Sequence, residues 1–130
     1  MRLFRVIVSV GDINAAEAFY GRVLGVAGRR VSPGRHYFDC EGTILACYDA
    51  RADGDAAPVA SNQGHLYIAT DDLAGARRRL AAEMGERALS PIEDQPWGER
   101  TLYTCDPWGN RLCFVDRATM FTGNAAGAPA

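Results

Sequence analysis

Residues 4–10 (FRVIVSV) are rich in branched apolar side chains, a pattern that predicts a β-strand. Asp12 follows as a helix N-cap, and Ile13, Ala16, Phe19, Tyr20, Val23 and Leu24 recur at spacings of three and four, which predicts an amphipathic helix with one apolar face. Gly25 stops that helix. Two further strands, 35–40 (RHYFDC) and 43–49 (TILACYD), flank the tight-turn pair Glu41-Gly42, and a weaker strand pattern lies around residues 28–32. The pattern then repeats. Arg5-Val6-Ile7-Val8 returns as His65-Leu66-Tyr67-Ile68, and Gly25 as Gly85, both 60 residues later (65 − 5, 85 − 25). In the second copy Asp71 or Asp72 caps a helix that runs to about Met84. Residues 86–90 read as a short strand and 91–99 as a loop, and strands 100–105 and 111–116 are joined by the turn Asp106-Pro107-Trp108-Gly109-Asn110.

Each half is strand–helix–strand–strand–strand. That order predicts an α+β fold, two βαβββ repeats whose helices lie on one face of a curved, mostly antiparallel sheet around a cleft. The halves are expected at about 3–49 and 64–117, with a small, polar linker at 50–63, all within a single domain of residues 1–122; the tail 123–130 (GNAAGAPA) is expected to fray. A seam between two similar halves is a favoured place for a pocket.

The chain has 130 residues, 48% of them hydrophobic and 23% charged, enough for one globular domain with a real core. A net charge of −2 argues against nucleic acid as a partner. No apolar run reaches the ~20 residues that span a bilayer, and the N-terminus enters a strand without a signal-peptide pattern, so a cytoplasmic location and no membrane partner are expected. Cys40, Cys47, Cys105 and Cys113 lack CxxC spacing and are expected to be free and buried. All 14 basic residues are arginine, whose planar fork grips carboxylates bidentately. The motifs of dinucleotide, P-loop, serine-hydrolase and HExxH zinc chemistry are absent.

Val10-Gly11-Asp12 with Phe19-Tyr20 and Val23-Leu24-Gly25, then Gly64-His65-Leu66, Gln95-Pro96-Trp97-Gly98 with Arg100, and Asp106-Pro107-Trp108-Gly109-Asn110 together resemble the vicinal oxygen chelate superfamily. That superfamily includes glyoxalase I, the extradiol dioxygenases and the bleomycin-resistance proteins. The resemblance spans residues 3 to about 117 and is specific for fold rather than reaction. It implies four converging metal ligands, His, Glu or Gln, from the first and last strands of each half. Carried over, those positions are Arg5, Leu45, His65 and Cys113. Only His65 is a usual ligand; a guanidinium repels a divalent ion, and Leu45 cannot coordinate. A slip of one residue would offer Ala46, and of two Cys47, giving a His65, Cys47 and Cys113 set with Arg5 still beside it. No metal and no cofactor is therefore expected.

The ligand-binding candidates are Arg5, His65, Trp97, Tyr67, Tyr103, Cys113, Leu45 and Cys47. Arg5 either pairs with a carboxylate of the protein or awaits an anionic ligand. His65 is either hydrogen-bonded in the sheet or faces the ligand as a base or donor. Trp97 lies in a loop, either as a lid on the core or, as the resemblance implies, near a drug-binding groove where it stacks on a planar ligand. Tyr37, Tyr48, Tyr67 and Tyr103 sit in strands, and parity alone leaves open which face the cleft. His36, beside Arg35 at a strand start, is expected to face solvent, and Trp108 to be structural or to lie in a subunit contact. The reading is a metal-free binding protein of the glyoxalase/bleomycin-resistance type that sequesters a planar or anionic compound such as an antibiotic; the resemblance also implies a homodimer. The alternatives are an enzyme (lyase, isomerase or dioxygenase) with atypical metal ligands or a metal-independent His65 mechanism, and an interaction module with a filled cleft.

Overall fold

A computed structural model of the chain describes residues 1–56 and 59–123. The elements follow the order β1 (Arg5–Ser9), α1 (Ile13–Leu24), β2 (Arg29–Ser32), β3 (Arg35–Cys40), β4 (Thr43–Tyr48), β5 (Leu66–Thr70), α2 (Leu73–Met84), β6 (Glu93–Asp94), β7 (Arg100–Cys105) and β8 (Arg111–Asp116). Short 3₁₀ turns occupy Glu86–Ala88 and Arg117–Thr119. The chain divides into two compact units, residues 1–63 with the turn 107–110, and residues 64–106 with the chain from Arg111 onward.

Each unit holds one four-stranded sheet, in the orders β1-β4-β3-β2 and β5-β8-β7-β6. Neighbours are antiparallel except for the parallel pairs β1–β4 and β5–β8, so both sheets are mixed. The α+β class and the βαβββ repeat stand as expected. Differences fall where the pattern is short. Residues 86–88 form a 3₁₀ turn instead of a strand, and the expected loop 91–99 contains β6. Two residues of strand carry too few side chains to show a period. The tail 124–130 lies outside the described residues.

Local chemistry places the helices. The Asp12 carboxylate accepts from the N–H groups of Asn14 (3.0 Å) and Ala15 (3.1 Å), and Gly25 takes the left-handed conformation (φ 75°) that ends α1. Asp72, not Asp71, caps α2 by accepting from Gly75 N–H at 2.9 Å. The β3–β4 turn uses positive φ at both Glu41 (56°) and Gly42 (103°), the hairpin geometry whose twist suits the flanking strands.

Each sheet covers one face with its helix. In the first unit Val8, Phe38, Leu45 and Cys47 are buried there with Phe19, Tyr20 and Val23 of α1, and the Tyr20 and Phe38 rings lie 6.1 Å apart. In the second, Leu102, Leu112 and Phe114 are buried with Leu73, Ala76 and Leu80 of α2. Alternation along each strand leaves the opposite side chains on a helix-free face.

His36 differs from its expected exposure. It is buried on the helix-covered face, in register with Cys47. Arg30 Nε donates to its Nδ1 at 3.2 Å and its Nε2 lies 3.0 Å from the Ala27 carbonyl, so both ring nitrogens are used structurally.

Candidate functional site

The helix-free face of the first unit is read from its register. Ile7, Ala46, Tyr37 and Arg29 form one cross-strand row, and Arg5, Ile44 and Asp39 the next. The Arg5 guanidinium carbon lies 5.1 Å from the Phe4 ring centroid and 5.0 Å from that of Tyr37. Both distances suit cation–π attraction. Arg5 has no carboxylate within ion-pair distance among the described residues. A third row contains Ser9, Tyr48 and Arg35. There the arginine is already neutralised: Arg35 stacks on Tyr48 at 4.5 Å and pairs with Asp53, whose carboxylate also accepts from Ser32 Oγ (2.8 Å) and Gly34 N–H (2.6 Å).

Two sequence candidates do not join this face. Leu45 and Cys47 point to the helix-covered side, where both are buried. Their strand is apolar on both faces, so the sequence lacks the alternation that would reveal its parity. The register shows the equivalence directly: Ile7–Ala46–Tyr37 in the first unit corresponds to Tyr67–Cys113–Tyr103 in the second. The counterpart of Cys113 is therefore Ala46.

In the second unit, His65, Tyr67, Tyr103 and Cys113 share the helix-free face. The His65 and Tyr103 rings meet edge to face at 4.9 Å. Tyr103 lies within side-chain hydrogen-bonding reach of Tyr67, Thr101 and Cys113. Burial, reinforced by Tyr67, pushes the Tyr103 phenol up to about 12. Burial likewise pushes the Cys113 thiol up to about 11, and the Glu99 charge adds to the rise. Both groups are therefore neutral at physiological pH. Tyr67 is 57% exposed and marks the open part of this surface.

Trp97 lies in the turn between β6 and β7, also 57% exposed, and donates its indole N–H to Glu99 Oε1 at 3.0 Å. It is no lid on the core. Glu99 Oε2 accepts from Phe121 N–H at 2.8 Å, and Gln95 Nε2 donates to Thr101 Oγ1 at 2.9 Å. Arg29, Glu99 and Thr101 escaped the sequence reading, and Gln95 entered it only as part of a motif, not as a site residue. The Gln95-to-Arg100 segment carried a motif, but nothing in it tells which polar side chains turn toward the sheet.

The profile of the glyoxalase/bleomycin resistance protein/dioxygenase superfamily matches residues 2–114. The chain belongs to that superfamily. Among solved structures, it is similar to lactoylglutathione lyase from Agrobacterium tumefaciens, at 22% identity and a TM-score of 0.66 over 89% of this chain and 93% of that one. A bleomycin-binding protein solved in complex with bleomycin is 19% identical, with a TM-score of 0.65 over 90% and 98% of the two chains. A superfamily member from Nocardioides is 25% identical, with a TM-score of 0.64 over 89% and 83%. Comparison with functionally curated proteins finds no match.

The donor set does not fit a divalent ion of the kind that metal-using members of the superfamily hold. No three His, Cys, Asp or Glu side chains converge among the described residues. In the first unit, the two positions concerned are a guanidinium (Arg5) and a methyl group (Ala46), neither of which offers an electron pair. In the second, the two positions are His65 and Cys113, two donors where a tetrahedral site takes four. What the first unit's face does offer is a fixed cation beside aromatic rings, chemistry suited to holding an organic anion.

Proposed function

We propose that the protein binds a planar or anionic organic molecule without a resident metal, and that its work is sequestration of such a compound, an antibiotic being one candidate. One observation carries this reading: the Arg5 guanidinium lies 5.1 Å and 5.0 Å from the centroids of two aromatic rings, with no acidic partner among the described residues. A guanidinium so placed offers a carboxylate or phenolate a bidentate contact, and the rings beside it offer a stacking surface. A bleomycin-binding protein of similar fold was solved in complex with bleomycin, so the fold can hold an organic small molecule. The protein is further proposed to act in the cytoplasm as a homodimer; no helix among the described residues is long and apolar enough to cross a membrane.

Titration of the purified protein with aromatic antibiotics and metabolites, followed by tryptophan emission, tests the reading. We expect saturable quenching that Arg5→Gln weakens about tenfold, the loss of one charge-assisted contact. A broad panel that leaves the emission unchanged would overturn it, as would stoichiometric, tightly held Zn, Ni, Mn or Fe after soaking.

A second reading rests on the His65–Tyr103 contact. An imidazole edge-on to a phenol that stays protonated could pass a proton to or from a bound substrate without metal, making the protein an enzyme. Should a substrate be found, full turnover by His65→Ala would remove His65 from the mechanism.

A further inference from the structure

Four arginines lie on the strands of the first unit's sheet: Arg5, Arg29, Arg30 and Arg35. Two are spent inside the protein. Arg30 pairs with Glu17 at 2.7 Å and donates to Asn14 and His36, and Arg35 pairs with Asp53. Arg5 and Arg29 have no such partner among the described residues. Both are exposed, and both stand beside Tyr37. Arg29 is its direct partner across the β2–β3 ladder, which puts the two side chains on one face with their Cβ atoms about 5 Å apart. Arg5 reaches the same ring from β1, at 5.0 Å. The one acid in the adjoining row, Asp39, has its Oδ1 engaged by Gly42 N–H at 2.7 Å.

An arginine on an edge strand often serves only to keep other strands away. Here its neighbour across the ladder is the ring that Arg5 already covers, so a second positive side chain springs from the backbone directly opposite that aromatic residue. We infer that Arg5 and Arg29 form a two-armed clamp over Tyr37 for a planar aromatic dianion, one acidic group directed to each guanidinium. The inference rests on the reading that this face binds a planar anion, and it adds Arg29 as the residue that selects two acidic groups over one. Each arm supplies a forked pair of N–H donors that a single ammonium could not reproduce.

Terephthalate, benzoate and the neutral terephthalamide are suitable probes. They are titrated into the full-length, nitrogen-labelled protein while the arginine Nε–H resonances are followed. Terephthalate is expected to shift both Arg5 and Arg29 and to bind about tenfold more tightly than benzoate, the worth of one charge-assisted contact, with terephthalamide weakest. Arg29→Gln is expected to close the gap between the two acids. Arg29→Lys, which keeps the charge and loses the fork, should leave part of it and serves as the second variant if the first folds poorly. The clamp is overturned if terephthalate binds no more tightly than benzoate, or if Arg29→Gln leaves the gap intact. When Arg5 responds and Arg29 does not, the binding function stands and the clamp alone falls. Should neither acid perturb Arg5, both fall.

Discussion

Asp53 accepts from Ser32 and Gly34 and pairs with Arg35, and these contacts hold its carboxyl below the ordinary value of 3.8, Ser32 contributing most. The fold therefore favours the ionised form. Stability from this group is fully present above the ordinary carboxyl range and is lost as the pH falls through the depressed folded value. Asp53→Asn is expected to lower Tm at neutral pH, with the gap to the wild type closing as the pH drops below about 4; circular dichroism melts across that range check it, and a constant gap would mean the carboxylate's charge contributes nothing. Cys113 behaves in the opposite sense. Its buried thiol is pushed up to about 11, so at pH about 8 almost none is thiolate, the only reactive form. Alkylation of the native protein followed by peptide mapping should label Cys40 and Cys105, which are partly exposed, and spare Cys47 and Cys113 until the protein is denatured. Rapid native labelling of Cys113 would show that its thiol is neither buried nor neutral in the folded protein.

The two helices show how much an element's sequence reveals and where it stops. Asp12, the apolar spacing from Ile13 to Leu24, and Gly25 fix α1 completely, because a helix start, period and stop each have their own chemistry. The strands were legible as segments but not as faces. In β1, polar and apolar positions alternate enough to separate Val8 from Arg5, whereas β4 presents Ile44, Leu45, Ala46 and Cys47 in succession, and only register shows that Ala46 joins the Arg5 face. Arg29 was invisible as a site residue for the same reason, since nothing local ties it to Tyr37. A test belongs to α2. Gly75 sits in its first turn, where a Cβ would land on the Asp72 carboxylate that caps the helix. Alanine normally gains about 1 kcal/mol over glycine within a helix, and losing an aspartate cap costs about 1 kcal/mol. Gly75→Ala should thus be close to neutral in the wild type but stabilising by about 1 kcal/mol in an Asp72→Ala background. Chemical denaturation of the four proteins in that cycle measures the coupling; strict additivity would show that the cap survives the added methyl.

At the scale of the whole molecule, the first unit is not a contiguous stretch of chain. It draws in residues 107–110 from the β7–β8 turn, and Asn110 hydrogen-bonds to the rest of the unit there. Its side chain is fully buried; Oδ1 accepts from Asn62 N–H at 2.9 Å, and Nδ2 donates to the Ser9 carbonyl at 2.8 Å, across 101 residues of sequence. Asn62 in turn donates from Nδ2 to the Ile7 carbonyl at 3.0 Å. Two side-chain amides thus satisfy carbonyls on the free edge of β1, the strand that carries Arg5. Removing the Asn110 amide leaves a half-buried donor and a half-buried acceptor without this partner, at a cost of about 1–2 kcal/mol. Asn110→Ala is expected to show that loss in urea unfolding. Asn110→Asp keeps an acceptor for Asn62 but turns the other arm from a donor into a second acceptor facing the Ser9 carbonyl, and buries a charge. It should cost at least as much at neutral pH and recover part of its stability in acid, where the protonated carboxyl can donate again. Equal stability of the two variants at every pH would mean that the Ser9 contact contributes nothing and that the edge of β1 is held by Asn62 alone.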